Sequence, residues 1–213
     1  MSNRFISQSA THLLNLLVST KDRGVADHIR WTVLAALRRF LLRFDDPTVE
    51  YTFCGTMLRI PLSHDLPIIR RSFPYYSDNV GRIAGYLAKR FGQFPIIDIG
   101  ANVGDTVAII HQYAHLPILC IEGEPKFAEL LSMNIASANP CPIIEPTFVG
   151  TSDNIVTVVV HHGTARLANT TSGSGVRTRR FKEILKEHSA FQNSQMLKID
   201  TDGMDIAILN SAL

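Results

Sequence analysis

The chain has 213 residues, of which 46% are hydrophobic and 19% charged, and its formal net charge at pH 7 is +2. That is room for one ordinary domain and an extension, with enough apolar material for a real core. A charge so close to zero excludes a polybasic nucleic-acid binder, whose affinity would rest on many phosphate contacts.

The three cysteines, Cys54, Cys120 and Cys141, are too few and too far apart for a disulfide framework or a Cys-x-x-Cys metal site. A reducing compartment, the cytoplasm, is therefore expected. Cys120 lies in an apolar run and reads as a small buried hydrophobe. No signal-peptide pattern opens the chain, and no window has the ~18 apolar residues of a spanning helix, so a soluble or peripheral protein is expected.

Residues 10–44 read as helix. Trp31, Leu34, Leu37, Leu41 and Phe44 recur at three- and four-residue steps, with Arg30, Arg38, Arg39 and Arg43 among them. A basic amphipathic helix of this kind can make peripheral contact with an anionic membrane. The arrangement expected here is the plainer one, with the stripe packed on its own domain and the arginines in solvent. Asp45-Asp46-Pro47 ends the helix, and Val49 to Leu62 reads as a hairpin around Gly55. Residues 63–79, with two prolines, read as irregular. Val80, Ile83, Ala84, Leu87 and Phe91 form another helical face that stops at Gly92.

From Phe94 the pattern changes. "PIIDIG" is a continuous apolar run ending in Asp98 and Gly100, which suits a strand buried on both faces of a parallel sheet. A helix to about Tyr113 follows, then a second such strand in "PILCIEGE" and a second helix opened by Pro125. "CPIIEPTFVG" reads as a third strand and "NIVTVVVHH" as a further extended segment. "HGTARLANTTSGSG" reads as a surface loop, "FKEILKEH" as a short helix, "QMLKID" as another buried strand, and the chain turns at Gly203 into a final helix. Strands alternating with helices predict an α/β fold with right-handed crossovers.

In such sheets ligands sit outside the carboxyl ends of the strands. The first strand brings Asp98, Gly100, Asn102, Gly104, Asp105 and Thr106 to that edge, the second Glu122 and Glu124, the last Asp200, Asp202 and Asp205. A rim so acidic disfavours phosphates, since like charges repel by ~1 kcal/mol at 4 Å even in water. "GANVG" is Gly-x-x-x-Gly, without the Gly-x-Gly-x-x-Gly spacing that seats a pyrophosphate and without a Walker lysine. Glu122 lies 24 residues beyond Asp98, where a carboxylate can take both hydroxyls of a ribose. The implied ligand has an adenosine, no phosphates and a cation, and S-adenosylmethionine fits. Each part has a plainer reading: Glu122 as a solvated strand-end acid, and Asp200, Asp202 and Asp205 as helix-capping acids.

"IIDIGANVGDT", "ILCIEGEPKFAELLSMN" and "LKIDTDGMDIAIL" together resemble the FkbM-type methyltransferase family. The match runs from Phe94 to the end of the chain, and residues 1–92 carry no motif of the set. The resemblance implies a Rossmann-like class I methyltransferase domain over 93–213, with helices on both faces of the sheet, after an N-terminal helical and hairpin extension over 1–92. It implies S-adenosylmethionine as cofactor and an O-methylation, on a sugar, glycan or small metabolite. Asp98, Gly100, Asn102, Gly104 and Thr106 would then line the cofactor loop and Glu122 would hold the ribose. Asp200 and Asp202 would face the acceptor, either serving as base for its hydroxyl proton. The family usually has Glu where this chain has Asp202, and often Pro where it has Gly123. No metal is required by the sequence. His161 and His162, beside the Gly/Thr loop, are the histidines to test as acceptor contacts.

A complete fold of this type has seven strands, and here only a helix follows the "KID" strand. The expectation is a truncated domain, with "MLKID" as an apolar edge strand unless a partner chain or the N-terminal hairpin covers it. The competing readings are an inactive cofactor-binding or interaction module, and a nicotinamide-dependent oxidoreductase, against which the glycine spacing counts.

Overall fold

The computed structural model describes residues 2–21, 24–152, 155–161, 164–168, 175–201 and 203–212, with side chains for all of these except 2–4, 155–168 and 212. They form two compact units, Met1–Phe53 with Met57–Tyr76, and Cys54–Thr56 with Ser77–Leu213.

The first unit opens with helices α1 (Ser2–Ser19) and α2 (Val25–Leu41). The single helix expected over 10–44 is therefore two. In α1, Ala10, Leu13, Leu14 and Leu17 are buried, an i, i+3, i+4, i+7 stripe that packs on β1 (Thr48–Phe53). The Ser7 hydroxyl donates to the Thr48 carbonyl and the Thr11 hydroxyl accepts from the Glu50 N–H, so α1 also satisfies part of that strand's edge. β1 pairs with β2 (Thr56–Pro61) across a two-residue turn in which Cys54 and Gly55 both have positive φ, 48° and 77°. That is the turn whose twist matches the strands, and Gly55 is the residue that makes it affordable.

α2 corrects the expected packing. No described residue of α2 is buried: Trp31 and Leu34 are half-covered, while Leu37, Leu41 and Phe44 are exposed. The packed face carries an arginine instead. Arg38 donates from Nε to the Leu62 carbonyl (2.8 Å) and from Nη2 to that of His64 (3.3 Å), and lies 3.5 Å from Asp65. The segment expected to be irregular contains a short helix, α3 (Leu66–Ser72), with Pro67 in its first turn where no donor is lost.

In the second unit, α4 (Asp78–Phe91) lies close against α5 (Asp105–Tyr113). A Cβ on Gly81 would stand 2.6 Å from the Tyr113 ring and 2.7 Å from the Ile109 carbonyl oxygen, so only glycine permits this approach. The remaining elements are β3 (Ile96–Ile99), which precedes α5, then β4 (Ile118–Ile121), α6 (Pro125–Ile135), β5 (Ile143–Glu145), β6 (Phe148–Gly150), β7 (Ile155–His161), β8 (Thr164–Ala168), β9 (Gly175–Arg180), α7 (Phe181–Glu187), β10 (Met196–Ile199) and α8 (Asp205–Ala212).

The central sheet is parallel, in the order β10-β3-β4-β5. Alternation along its strands separates two cores. Ile96, Ile118 and Cys120 pack with Val107, Ile110, Leu131 and Ile135 of α5 and α6. Ile97, Ile99, Leu119 and Ile121 pack on the other face with Phe181 and Ile184 of α7 and Ile208 of α8. The fold is α/β with helices on both faces, and Cys120 is the buried hydrophobe its context implied. Among the described residues β10 forms one edge of this sheet.

The third strand region is not one strand. Pro146 has no N–H to continue a ladder, and the chain divides there into β5, which joins the central sheet, and β6, which does not. A second four-stranded sheet runs β6-β9-β7-β8, with β6 parallel to β9 and β7 antiparallel to both neighbours. The expected loop after His161 thus begins with a strand, β8, that folds back on β7. Residues 169–174, the rest of its Thr/Ser/Gly stretch, lie outside the described residues.

Candidate functional site

The chain leaves β3 through α5 to β4 and β5 on one side, and returns on the other side of β3 with β10. Beyond the carboxyl ends of β3 and β10 the flanking connections diverge, and this switch point is where an open parallel sheet forms its ligand crevice.

The loop after β3 has an unusual backbone. Gly100, Asn102 and Gly104 all have positive φ, 78°, 48° and 89°. At Gly100 this conformation coincides with contact: a Cβ there would lie 1.9 Å from the Asp200 carbonyl oxygen. Only glycine lets β3 and β10 come together at this point. Gly104 opens α5 and faces α6, where a Cβ would meet Leu131 and Ile135 at 3.0 Å.

Glu122, at the end of β4, is tied to this loop. Its side chain is 6% exposed, Oε2 accepts the Asn102 N–H (2.8 Å) and Oε1 accepts the Glu124 N–H (2.8 Å). Burial pushes its carboxyl above the ordinary range, and the two N–H bonds oppose that. The carboxylate is therefore a fixed, buried acceptor rather than a solvated strand-end acid.

Beneath the loop is a buried ion pair. Lys198 of β10 stands directly across from Asp98 of β3, and Nζ lies 2.9 Å from Asp98 Oδ1, 3.6 Å from Asp200 Oδ2 and 3.1 Å from the Gly100 carbonyl oxygen, to which it donates. Asp98 has no exposed surface, and burial raises its carboxyl despite the lysine. For Lys198 burial alone would lower the ammonium, yet Asp98, Asp105 and Asp200 carry it above its usual value.

The structure thus brings Gly100, Asn102, Glu122 and Asp200 together at one edge, with Asp98 under them. Thr106 is buried in the first turn of α5. Asp202 lies outside the described residues, as do His162 and the side chain of His161. Asp205 is engaged locally, its Oδ1 accepting from the Thr201 N–H and hydroxyl at 2.7 Å. His111 and His115 lie toward the far end of α5, near the start of β4, with His111 Nε2 3.3 Å from the Leu116 carbonyl oxygen.

Three further residues belong to the site, none of them assigned a role by the sequence alone. Lys198 was visible as the lysine of "KID". Asn134 was visible as the asparagine of "LLSMN"; it is buried, and its amide donates to the Val103 carbonyl (2.8 Å), pinning the loop from α6. Phe148 had no signal. Its ring packs on Gly123, where a Cβ would stand 2.2 Å from a ring carbon. A proline at 123 would collide with that ring, so the departure at Gly123 and the aromatic at 148 form one arrangement.

Among the described residues no group of three His, Cys, Asp or Glu side chains is placed to hold a metal ion. An apolar cavity of about 330 Å³, lined by Phe94, Pro117, Ile143 and Phe191 among others, opens at the amino ends of the strands, the opposite edge from this site.

No family model and no curated protein matches the chain. Among solved structures it is similar to that of a proposed S-adenosyl-L-methionine-dependent methyltransferase from Methanococcus maripaludis. The two are 20% identical, over 39% of this chain and 42% of that one, with a TM-score of 0.27. A superposition so partial and loose bears no functional weight. The fold class stands on strand order and register, and the chemistry on the side chains described above.

Proposed function

We propose that this chain binds S-adenosylmethionine at the carboxyl ends of β3, β4 and β10 and transfers its methyl group to an acceptor hydroxyl of a sugar, glycan or small metabolite. The observation that carries the reading is Glu122, a buried carboxylate held in place by two backbone N–H groups at the end of the second strand. A carboxylate has about four lone-pair sites. Two are used, and two remain for the paired hydroxyls of a ribose.

Other features support the same ligand. The half-buried Phe148, packed one residue beyond Glu122, offers a flat apolar face beside the ribose position, suited to a purine. Gly100, with no side chain, lets a ligand approach the backbone of the loop. Lys198 neutralises Asp98, but Asp105, Glu122, Glu124 and Asp200 leave the rim acidic, which favours a cationic ligand over a pyrophosphate.

S-adenosylmethionine, when bound, supplies a methyl group on a positively charged sulfur. The protein's part is to hold the acceptor oxygen in line with that methyl, where alignment provides most of the acceleration. Asp200, with a carboxylate 64% exposed at the end of β10, is the described acid able to accept the hydroxyl proton; Asp202 is the second candidate.

Methyl transfer from radiolabelled S-adenosylmethionine to a panel of sugars and hydroxylated metabolites tests the proposal. Turnover that falls ~100-fold or more in Asp200→Asn or Asp202→Asn, with cofactor affinity retained, supports a base at this position. Full turnover in both variants removes that assignment. Cofactor binding with no transfer to any acceptor would assign a binding module instead.

A further inference from the structure

We infer that the outward face of α2 is a docking surface for an anionic membrane. Val25, Ile29, Val33, Leu37, Phe40 and Phe44 follow one another at steps of four, four, four, three and four residues. All six are exposed, Val25, Val33 and Phe44 by 78%, 61% and 75%. At the helical turn of about 100° per residue the first five, which lie in α2, share one face, and Phe44 follows in the turn just beyond the end of the helix. That face points away from the packed side, which carries Trp31, Leu34 and Arg38.

The charge around the face selects the occupant. At the same turn per residue, the exposed Arg30 falls about 70° to one side of its centre and Arg39 about 110° to the other, and the exposed Arg43 stands beside Phe44 in the turn that follows. The only acid between Val25 and Phe44 is Asp27, about 130° from the centre and half-buried. An apolar strip edged by arginines and free of acids is what a helix lying in a lipid headgroup layer requires. Its apolar side chains enter the acyl boundary while the arginines reach back to phosphates. Phe40 and Phe44 are themselves in edge contact, with ring centroids 5.1 Å apart, and form one aromatic wedge. A second copy of this chain is disfavoured as occupant. Face-to-face pairing would bring the arginine edges together with no carboxylate on the face to neutralise them. No described helix is long and apolar enough to cross a membrane, so the contact is in-plane.

The test is co-sedimentation of the full chain with vesicles of phosphatidylcholine, alone or with phosphatidylserine. Pelleting is expected with the anionic vesicles, little with the neutral ones, and release as salt is raised. Val33→Ser with Phe40→Ser should weaken the anionic binding about tenfold or more, because two large apolar side chains leave the lipid. Arg30→Gln with Arg43→Gln should weaken it about tenfold and flatten its salt dependence. All four side chains are exposed, so the variants are expected to keep the wild-type far-ultraviolet dichroism. Absence of pelleting by folded wild-type chain overturns the inference, as does equal binding to both vesicle types. A concentration-dependent dimer that Phe40→Ser dissolves, without vesicle binding, assigns the face to a second copy and overturns it as well.

Discussion

Replacing Lys198 by methionine keeps most of the unbranched side chain, one atom shorter, and removes its charge, leaving Asp98 alone in the core. At 2.9 Å and an effective dielectric of about 20, the pair attracts by about 6 kcal/mol, which desolvation of both groups largely offsets. In Lys198→Met the desolvation of Asp98 persists without its compensation, and breaking a buried pair in this way costs ~3–5 kcal/mol. The protein has one escape, which is to protonate Asp98. From the ordinary carboxyl value of 3.8, at ~1.36 kcal/mol per pH unit, that route limits the charge penalty to about 4 kcal/mol at pH 7 and less than 2 kcal/mol at pH 5. The sign follows from proton counts. Between 3.8 and the raised folded value, the folded variant holds a proton that the unfolded chain does not, so its stability falls as pH rises. Urea unfolding followed by circular dichroism at pH 5 and pH 7 measures this directly. The wild type should exceed the variant by several kcal/mol at pH 7 and by less at pH 5, a narrowing tempered by the wild type's own raised Asp98. Adding Asp98→Asn to Lys198→Met should recover part of the loss, since no buried charge remains. A difference below ~1 kcal/mol at pH 7, or one unchanged by pH, would refute the role of this pair.

Gly100→Ala should destabilise by ~2 kcal/mol or more, because the new Cβ meets the Asp200 carbonyl and φ is positive; Gly92→Ala, with positive φ but open space, should cost ~1 kcal/mol in the same unfolding assay. Asn134→Ala should cost ~1–3 kcal/mol by leaving the buried Val103 carbonyl without its donor, and should weaken cofactor binding although Asn134 lies outside the crevice. Glu122 has its folded carboxyl raised from 4.5, so its contribution to stability declines as pH rises through that window. The stability of Glu122→Gln minus that of wild type should therefore grow as pH rises above about 4.5 and then level off; a difference that shrinks over that range contradicts the direction of the shift.

Strands β3 and β4 were legible because burial on both faces leaves them almost wholly apolar, and "PIID" and "PILC" need no partner to be read. "QMLK" read as a buried strand too, but β10 lies at the edge of the sheet, half-buried and with Leu197 exposed. β8 and β9 were not legible, because "TARLA" and "GVRTRR" mix small, polar and basic residues and pair only in the context of β7. The loop glycines announced a ligand turn, but not that Gly100 is fixed by contact with Asp200, one hundred residues away. The same distance hid the partner of Asp98, which the sequence offered as a ligand contact and the structure places under the loop on Lys198. On α2 the pattern showed amphipathicity but not which side packs, since a helix with apolar residues on both sides has two candidate faces. Arg38, bonded to the Leu62 and His64 carbonyls, settles it toward the side that sequence hydrophobicity would not have chosen.

On the proposed function, the crevice above Gly100 and Glu122 receives an adenosine bearing a sulfonium. Calorimetric titration of folded chain with S-adenosylmethionine, beside NADH and beside the Glu122→Ala variant, tests it most directly. Saturable binding of S-adenosylmethionine is expected, none of NADH, and a loss of at least tenfold in affinity when the ribose acceptor is removed, as for a charged hydrogen-bond partner. Binding of NADH in preference, or S-adenosylmethionine binding that Glu122→Ala leaves unchanged, would contradict it.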